Sequence, residues 1–222
     1  MSRSLPIVTA LIAGTALFTF ISPSSAAEVA IRAPAPAIRE TNAGHPEAAI
    51  FAGGCFWGVE GVFSHVKGVM SATSGYTGGK SSTADYEAVS TGNTGHAESV
   101  KVVFDPGQVN YADLLRIYFS VVADPTLLNR QGPDSGTQYR SALFPMSSSQ
   151  DKTARAYIAQ LSSAHTYARP IVTRVEPNRG FFPAEEYHQH FMARNPTYPY
   201  IVVNDRPKVD ALKSMFPKSW KA

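Results

Sequence analysis

Cys55 is the only thiol in 222 residues, and it sits in the stretch IFAGGCFWGVEGVF between two glycines and two large aromatics. The apolar run 48–52 is broken by Gly53 and Gly54, and Phe56, Val59, Val62, Phe63 and Val66 follow at helical spacing. This pattern predicts a strand, a sharp turn and a helix over about 55–66, with Cys55 in the first turn. Unpaired backbone N–H groups and the helix dipole there favour a thiolate, lowering the thiol pKa and making the sulfur nucleophilic. The glycines allow an unusual turn or the close approach of another backbone. The competing reading is a free cysteine packed as a small hydrophobe.

Glu98 is the second group with chemistry to offer. In HAESVKVVF the alternating residues Glu98, Val100, Val102 and Phe104 share one strand face, so the carboxylate points the same way as three apolar side chains. Desolvation on such a face raises a carboxyl pKa and keeps the group protonated near neutral pH, as a general acid requires. A solvated glutamate beyond the core edge fits the same pattern. Tyr86 and Tyr139 lie near loops, where a phenol can donate to a polar substrate atom, although most of the ten tyrosines must be ordinary packing. Asp134 can orient a neighbour or close an Asx turn. His188 and His190 are two apart and so diverge on a helix, and no Cys, Asp or Glu completes a ligand spacing, so no metal is expected. A glycine-rich phosphate loop, a dinucleotide fingerprint and a G-x-S-x-G elbow are all missing from the sequence.

These groups need a scaffold, and the chain is long enough for one domain with a sizeable core and no staples. A formal charge of +3 without a basic run argues against nucleic acid as a partner. Arg3, the apolar run 5–21 and the small residues of SPSSAA read as a signal peptide over 1–26, and a retained membrane anchor is the less favoured alternative. Export to a periplasm, or secretion, follows as an expectation. A lone cysteine in an oxidising compartment has no internal partner, which invites a chemical reason for its presence. Residues 27–47, rich in Ala and Pro without periodicity, read as a flexible leader, and 48–222 as the catalytic domain.

Within that domain, 69–76, 85–90, 97–104, 140–144 and 171–175 read as strands. Residues 111–122 form an amphipathic helix with Tyr111, Leu114, Leu115, Tyr118 and Val122 on one face. Ser148 caps a helix reaching about residue 164, PAEEYHQHFMAR is a short helix, and 209–215 is the last one. The loop VADPTLLNRQGPDSGTQYRS is long enough to suggest function. The interleaved pattern predicts an α+β fold, a two-layer sandwich with a mixed β-sheet covered by helices.

GGCFWGVEGVF resembles the nucleophile motif of the peptide methionine sulfoxide reductase A family. SGYTGG, DYEAVSTGNTGHAESVKVVFDP, RQGPDSGTQYRS and FFPAEEYHQHF follow in the order and spacing of that family, over about residues 48–199. The resemblance implies a ferredoxin-like core and reduction of methionine-S-sulfoxide, free or in proteins, with repair of oxidised proteins as the outcome. Cys55 is then the nucleophile, Phe56 and Trp57 the pocket for the substrate methyl group, and Glu98 the proton donor. Tyr86 and Tyr139 hydrogen-bond the sulfoxide oxygen, and Asp134 holds the substrate backbone. Cys55 is left as a sulfenic acid, the reversible rung of the cysteine oxidation ladder. No cofactor is implied beyond an external thiol, either a thioredoxin-like protein or a small molecule.

One departure matters. Many members of that family carry further cysteines near the C-terminus that resolve the sulfenic acid as a disulfide, and VVNDRPKVDALKSMFPKSWKA has none. The sulfenic acid must therefore meet its reductant directly. A monomer is expected. Two other readings remain: a thiol hydrolase using Cys55 with His96 or His188 as base, and a binding module for oxidised peptides with a silent Cys55.

Overall fold

The computed structural model describes residues 30–40 and 44–222; the expected signal peptide lies outside the described residues. Strand β1 (Glu47–Ala52) leads into helix α1 (Phe56–Ser64), followed by β2 (Val69–Thr77), the short helix α2 (Tyr86–Ser90), β3 (Ala97–Phe104) and α3 (Tyr111–Ile117). Two-residue strands β4 (Arg130–Gln131) and β5 (Asp134–Ser135) form a small hairpin inside the long loop. Then come β6 (Ala142–Phe144), α4 (Ser148–Ser163), β7 (Arg174–Val175), β8 (Phe181–Pro183), α5 (Phe191–Arg194) and α6 (Arg206–Met215).

Six strands make one sheet in the order β7-β6-β1-β3-β2-β8. β1 pairs antiparallel with both β3 and β6, and β3 pairs antiparallel with β2, while β6 and β7 run parallel. The succession β1-α1-β2-β3-α3-β6 with the central order β6-β1-β3-β2 is the ferredoxin-like arrangement, and β7 makes the sheet mixed. The expected α+β sandwich is therefore the fold.

Alternation along the strands decides which side chains meet. Phe51, Val100, Val102 and Phe104 face Val59, Val62 and Phe63 of α1 and Tyr111, Leu114 and Leu115 of α3 in the main core. Ile50, Ala52, Ala97, Ala142 and Phe144 form a smaller cluster on the opposite face. Each large apolar side chain buried this way contributes roughly 1.5–3 kcal/mol relative to exposure. Glu98 belongs to the main-core face, and this places a carboxyl at the edge of an apolar layer.

Several segments differ from the expectation. Residues 85–90 are not a strand, because the Asp85 carboxylate accepts the Ala88 N–H at 2.9 Å and caps α2. The helix from Tyr111 is α-helical only to Ile117 and continues as a buried π-helical turn, Tyr118–Val122. Ser147, not Ser148, caps α4, accepting the Gln150 N–H at 3.1 Å. PAEEYHQHFMAR is not one helix: a 3₁₀ turn, Glu186–His188, is separated from α5 by His190 in the left-handed region (φ +53°). The strand expected over 171–175 shrinks to Arg174–Val175, and the last helix starts earlier, at Arg206.

Part of the segment expected to be a loose leader is docked. Ala33 is fully buried, with its N–H on Ser120 Oγ at 3.0 Å. Tyr157 donates to the Pro34 carbonyl at 2.7 Å, and the Gln160 amide bonds both Ala35 and Ala37. Those backbone groups find partners on α4 and on the π-helical turn, so the strip 30–37 is part of the packed domain despite its composition.

Candidate active site

The site begins where β1 stops. Gly54 takes a φ of +87°, and a Cβ there would lie 2.6 Å from Gln131 Cβ, so the turn needs both the conformational freedom and the missing side chain. Cys55 follows as the N-cap of α1, one residue before the first helical turn in which it was expected. α1 is buried almost all round, and Gly58 gives room for the fully buried Asp205 carboxylate beneath it.

The thiol's electrostatics reverse the expectation. Burial, then repulsion from Glu98 and Asp205, push the Cys55 thiol well above its ordinary range, although the Trp57 backbone N–H favours the thiolate. One N–H at a helix start does not offset removal from water beside two acids. Cys55 is consequently a protonated thiol at rest, still partly accessible from the surface.

Glu98 behaves as its strand face predicts. It is 3% exposed, its Oε2 accepts the Phe56 N–H at 3.0 Å, and burial pushes its pKa up to about 8 against that hydrogen bond. The acid thus touches the residue next to the thiol and carries a proton at neutral pH. Tyr86 opens α2, and Tyr139 closes the 3₁₀ turn Thr137–Tyr139. Burial raises both phenol pKa values, with the Glu98 carboxyl next in effect and Cys55 also felt by each. Both are hydrogen-bond donors across the working pH range.

Phe56 and Trp57 divide the apolar wall. Phe56 is buried against Tyr76 and His188, with ring centroids at 5.9 and 4.9 Å. Trp57 is part-buried, stacked on Phe191 at 3.8 Å, with Tyr198 and Tyr200 edge-on at 6.2 and 5.9 Å. Asp134, on β5, accepts the Tyr200 hydroxyl. The structure therefore gathers the six other residues singled out in the sequence around the Cys55 thiol.

It also adds two that the sequence did not mark for this site, Tyr200 and Asp205, and gives His188, weighed in the sequence as a base for Cys55, a different part in it. Tyr200 sits just before the π-helical turn Ile201–Asp205, and Asp205 ends that turn under α1. His188 is 2% exposed and accepts the Trp57 indole N–H on Nδ1 at 3.1 Å. His96, the other base a hydrolase could use, is spent on the Gly79 N–H and the Lys80 carbonyl. Neither histidine is a base for Cys55, which removes the support for a thiol hydrolase. Among the described residues no group of three or more His, Cys, Asp or Glu is placed to hold a metal ion.

A single thiol at a strand-to-helix elbow, with a protonated carboxyl and two phenols beside it, on an α+β ferredoxin-like core, defines a thiol-based redox enzyme. The peptide methionine sulfoxide reductase family model matches residues 47–220. Peptide methionine sulfoxide reductase MsrA 2 of Mesorhizobium japonicum is 61% identical over 171 residues, covering 77% of this chain and 88% of that one. A protein of the same name from Synechocystis is 48% identical over 182 residues, 82% of this chain and 85% of that one. Among solved structures, reduced Mxr1 of Saccharomyces cerevisiae is similar with a TM-score of 0.64 and 30% identity, over 73% of this chain and 92% of that one. The chain belongs to the peptide methionine sulfoxide reductase family, whose activity is the thiol-dependent reduction of methionine sulfoxide to methionine.

Proposed function

We propose that this protein reduces methionine-S-sulfoxide, free and in oxidised proteins, with Cys55 as nucleophile and Glu98 as general acid, and that an external thiol then reduces Cys55 directly. The observation that carries this reading is the buried, protonated Glu98 carboxyl held at 3.0 Å from the Phe56 N–H, one residue from the only thiol.

The polar sulfoxide bond puts positive charge on sulfur and negative charge on oxygen. With the oxygen at Glu98, Tyr86 and Tyr139, the electropositive sulfur supplies the charge that the resting site lacks, and the Cys55 thiolate forms only as substrate binds. Phe56 and Trp57 receive the methyl group, where apolar contact is available and water is not. Asp134, fixed by Tyr200, holds the substrate backbone. Attack of Cys55 on the substrate sulfur breaks the sulfur–oxygen bond. The oxygen leaves as water with one proton from Glu98 and the one that the Cys55 thiol gives up as substrate binds; Glu98 recovers its proton from the water that next attacks. Water returning to the Cys55 sulfur leaves a sulfenic acid, and methionine departs reduced by two electrons. Two equivalents of an external thiol then restore Cys55, giving a disulfide and water.

Cys55 has no second cysteine in the chain to resolve it. Mass spectrometry after one turnover without reductant is expected to find one added oxygen on Cys55. A disulfide-linked dimer at every turnover would overturn direct reduction. Export is proposed on the apolar run 5–21 and the SPSSAA that follows it. Mature protein should begin near residue 27, and an N-terminus at residue 1 would sink that proposal. The protein is proposed to act as a monomer, which sedimentation would test.

A further inference from the structure

Trp57 and Tyr86 stand on different elements, α1 and α2, yet both are tied to one short segment. The Glu185 carboxylate accepts the Tyr86 backbone N–H on Oε1 at 2.9 Å and the Tyr76 hydroxyl on Oε2 at 2.8 Å. Three residues later, His188 accepts the Trp57 indole N–H. The imidazole lies among Phe56, Tyr86 and Trp57, with centroids at 4.9, 4.6 and 5.8 Å. Because Nδ1 is the acceptor, the ring proton of the neutral imidazole is on Nε2, which makes no hydrogen bond with the described residues and faces Glu185 Oε2 at 4.0 Å. Burial lowers the His188 pKa and favours that neutral form.

The segment itself is clamped on both sides. The Gln189 amide donates to the Ser74 and Ala184 carbonyls and accepts the Ser74 N–H, all within 3.1 Å. The His190 N–H reaches Glu60 of α1 at 2.8 Å, and Ser74 Oγ reaches the same carboxylate at 2.6 Å. The turn is thereby fixed to β2 and to α1 independently of any substrate.

We propose that Glu185 and His188 are positioning residues that lock the methyl wall, Trp57, to the oxygen donor, Tyr86, and so set the epimer selectivity of the enzyme. The inference rests on the roles proposed above for those two residues. The chemistry behind it is general. A sulfoxide sulfur carries a methyl group, a chain methylene, an oxygen and a lone pair. With the chain leading out to solvent and the thiol attacking from one side, exchanging the epimers exchanges methyl and oxygen. Discrimination therefore depends on how rigidly the apolar wall and the oxygen donors are held relative to each other. A turn that grips both walls does this, whereas two walls held separately do not.

The test uses the full chain with dithiothreitol and the separated epimers of N-acetylmethionine sulfoxide. His188→Leu removes the acceptor for Trp57, and His188→Asn keeps an acceptor where Nδ1 stands. His188→Leu is expected to lower kcat/KM for the S epimer by about fivefold to tenfold, through KM more than kcat, and to make R-epimer turnover measurable. His188→Asn should restore S turnover to within about threefold, as expected when the hydrogen bond is retained. In a Trp220→Phe background, the fluorescence of Trp57 should shift in the Leu variant and return in the Asn variant. If the Leu variant does not fold, Glu185→Ala, which removes the acceptor for the Tyr86 N–H, carries the same test through the Tyr86 end of the turn. A folded variant with unchanged epimer preference would overturn the proposal, as would equal losses in Leu and Asn. If Trp57→Ala and Tyr86→Phe leave turnover intact, the assignment of the walls fails instead, and the two failures are told apart.

Discussion

The floor of the site and its rim are built differently. Cys55 and Glu98 sit at the start of a fully packed helix and on a central strand, and their placement is decided by the same apolar alternation that makes the core. Tyr139 and His188 sit on 3₁₀ turns, Asp134 on a hairpin of two-residue strands and Tyr200 just before a π-helical turn, and hydrogen bonds between residues far apart in sequence fix these segments. The groups proposed to make and break bonds thus ride on regular elements, while these four polar groups of the rim ride on or beside turns.

The largest effects should therefore come from the floor. Cys55→Ser should reduce sulfoxide consumption to background in the dithiothreitol assay. Glu98→Gln should slow the reductive step by about 10²–10⁴-fold in single turnover, and an unchanged rate would exclude Glu98 as the acid. In the wild type that step should weaken as pH rises through about 8, where Glu98 loses its proton, and the Gln variant should lack this limb. The same shift has a stability consequence. A folded carboxyl pKa near 8 lies above the unfolded value, so its contribution is fully present at acid pH and is lost as pH rises through about 8. Thermal melts at pH 6 and 9 in a Cys55→Ser background should show that loss, and adding Glu98→Gln should remove it.

The rim should respond more mildly. Tyr86→Phe and Tyr139→Phe each delete one of the two phenols proposed to donate to the oxygen and should cost about tenfold in kcat. The double variant should exceed either single one, because both phenols serve the same atom. Tyr200→Phe deletes the hydroxyl bond to Asp134 and should act on KM, by about fivefold, if Asp134 holds the substrate backbone as proposed rather than the reacting atoms. An effect of Tyr200→Phe on kcat as large as that of Glu98→Gln would erase the distinction between floor and rim.

The same division explains what could be read from the sequence. Gly53 and Gly54 between an apolar run and a helical repeat mark the elbow, and the alternation of Glu98 with Val100, Val102 and Phe104 marks the buried acid, because period and breaker residues carry that information locally. β3 was expected over 97–104 and is found there. The thiol's pKa was not legible, since it depends first on the desolvation of a completed fold, then on Glu98 and on Asp205, 150 residues further on. Tyr200 was one of ten tyrosines, and what distinguishes it is its bond to Asp134, 66 residues away, and its edge against Trp57. Resemblance to a known family supplied the rim residues that periodicity left ambiguous.

The docked strip 30–37 gives the smallest effect and a control for the others. Tyr157 is buried in the main core, and its hydroxyl is the part that reaches the Pro34 carbonyl, at 2.7 Å. Phenylalanine keeps the ring packing and deletes that bond, so Tyr157→Phe should lower unfolding free energy by about 1 kcal/mol. Because the deleted bond runs from α4 to the strip, which is held on α4 and the π-helical turn Tyr118–Val122, and involves none of the groups placed around Cys55, turnover and epimer preference should not change. Denaturant melts alongside the dithiothreitol assay check both halves. A stability loss with unchanged turnover would show that marginal destabilisation alone does not reach the rim. A loss of turnover here would mean that the rim variants report on stability, and the contrast between floor and rim would have to be redrawn.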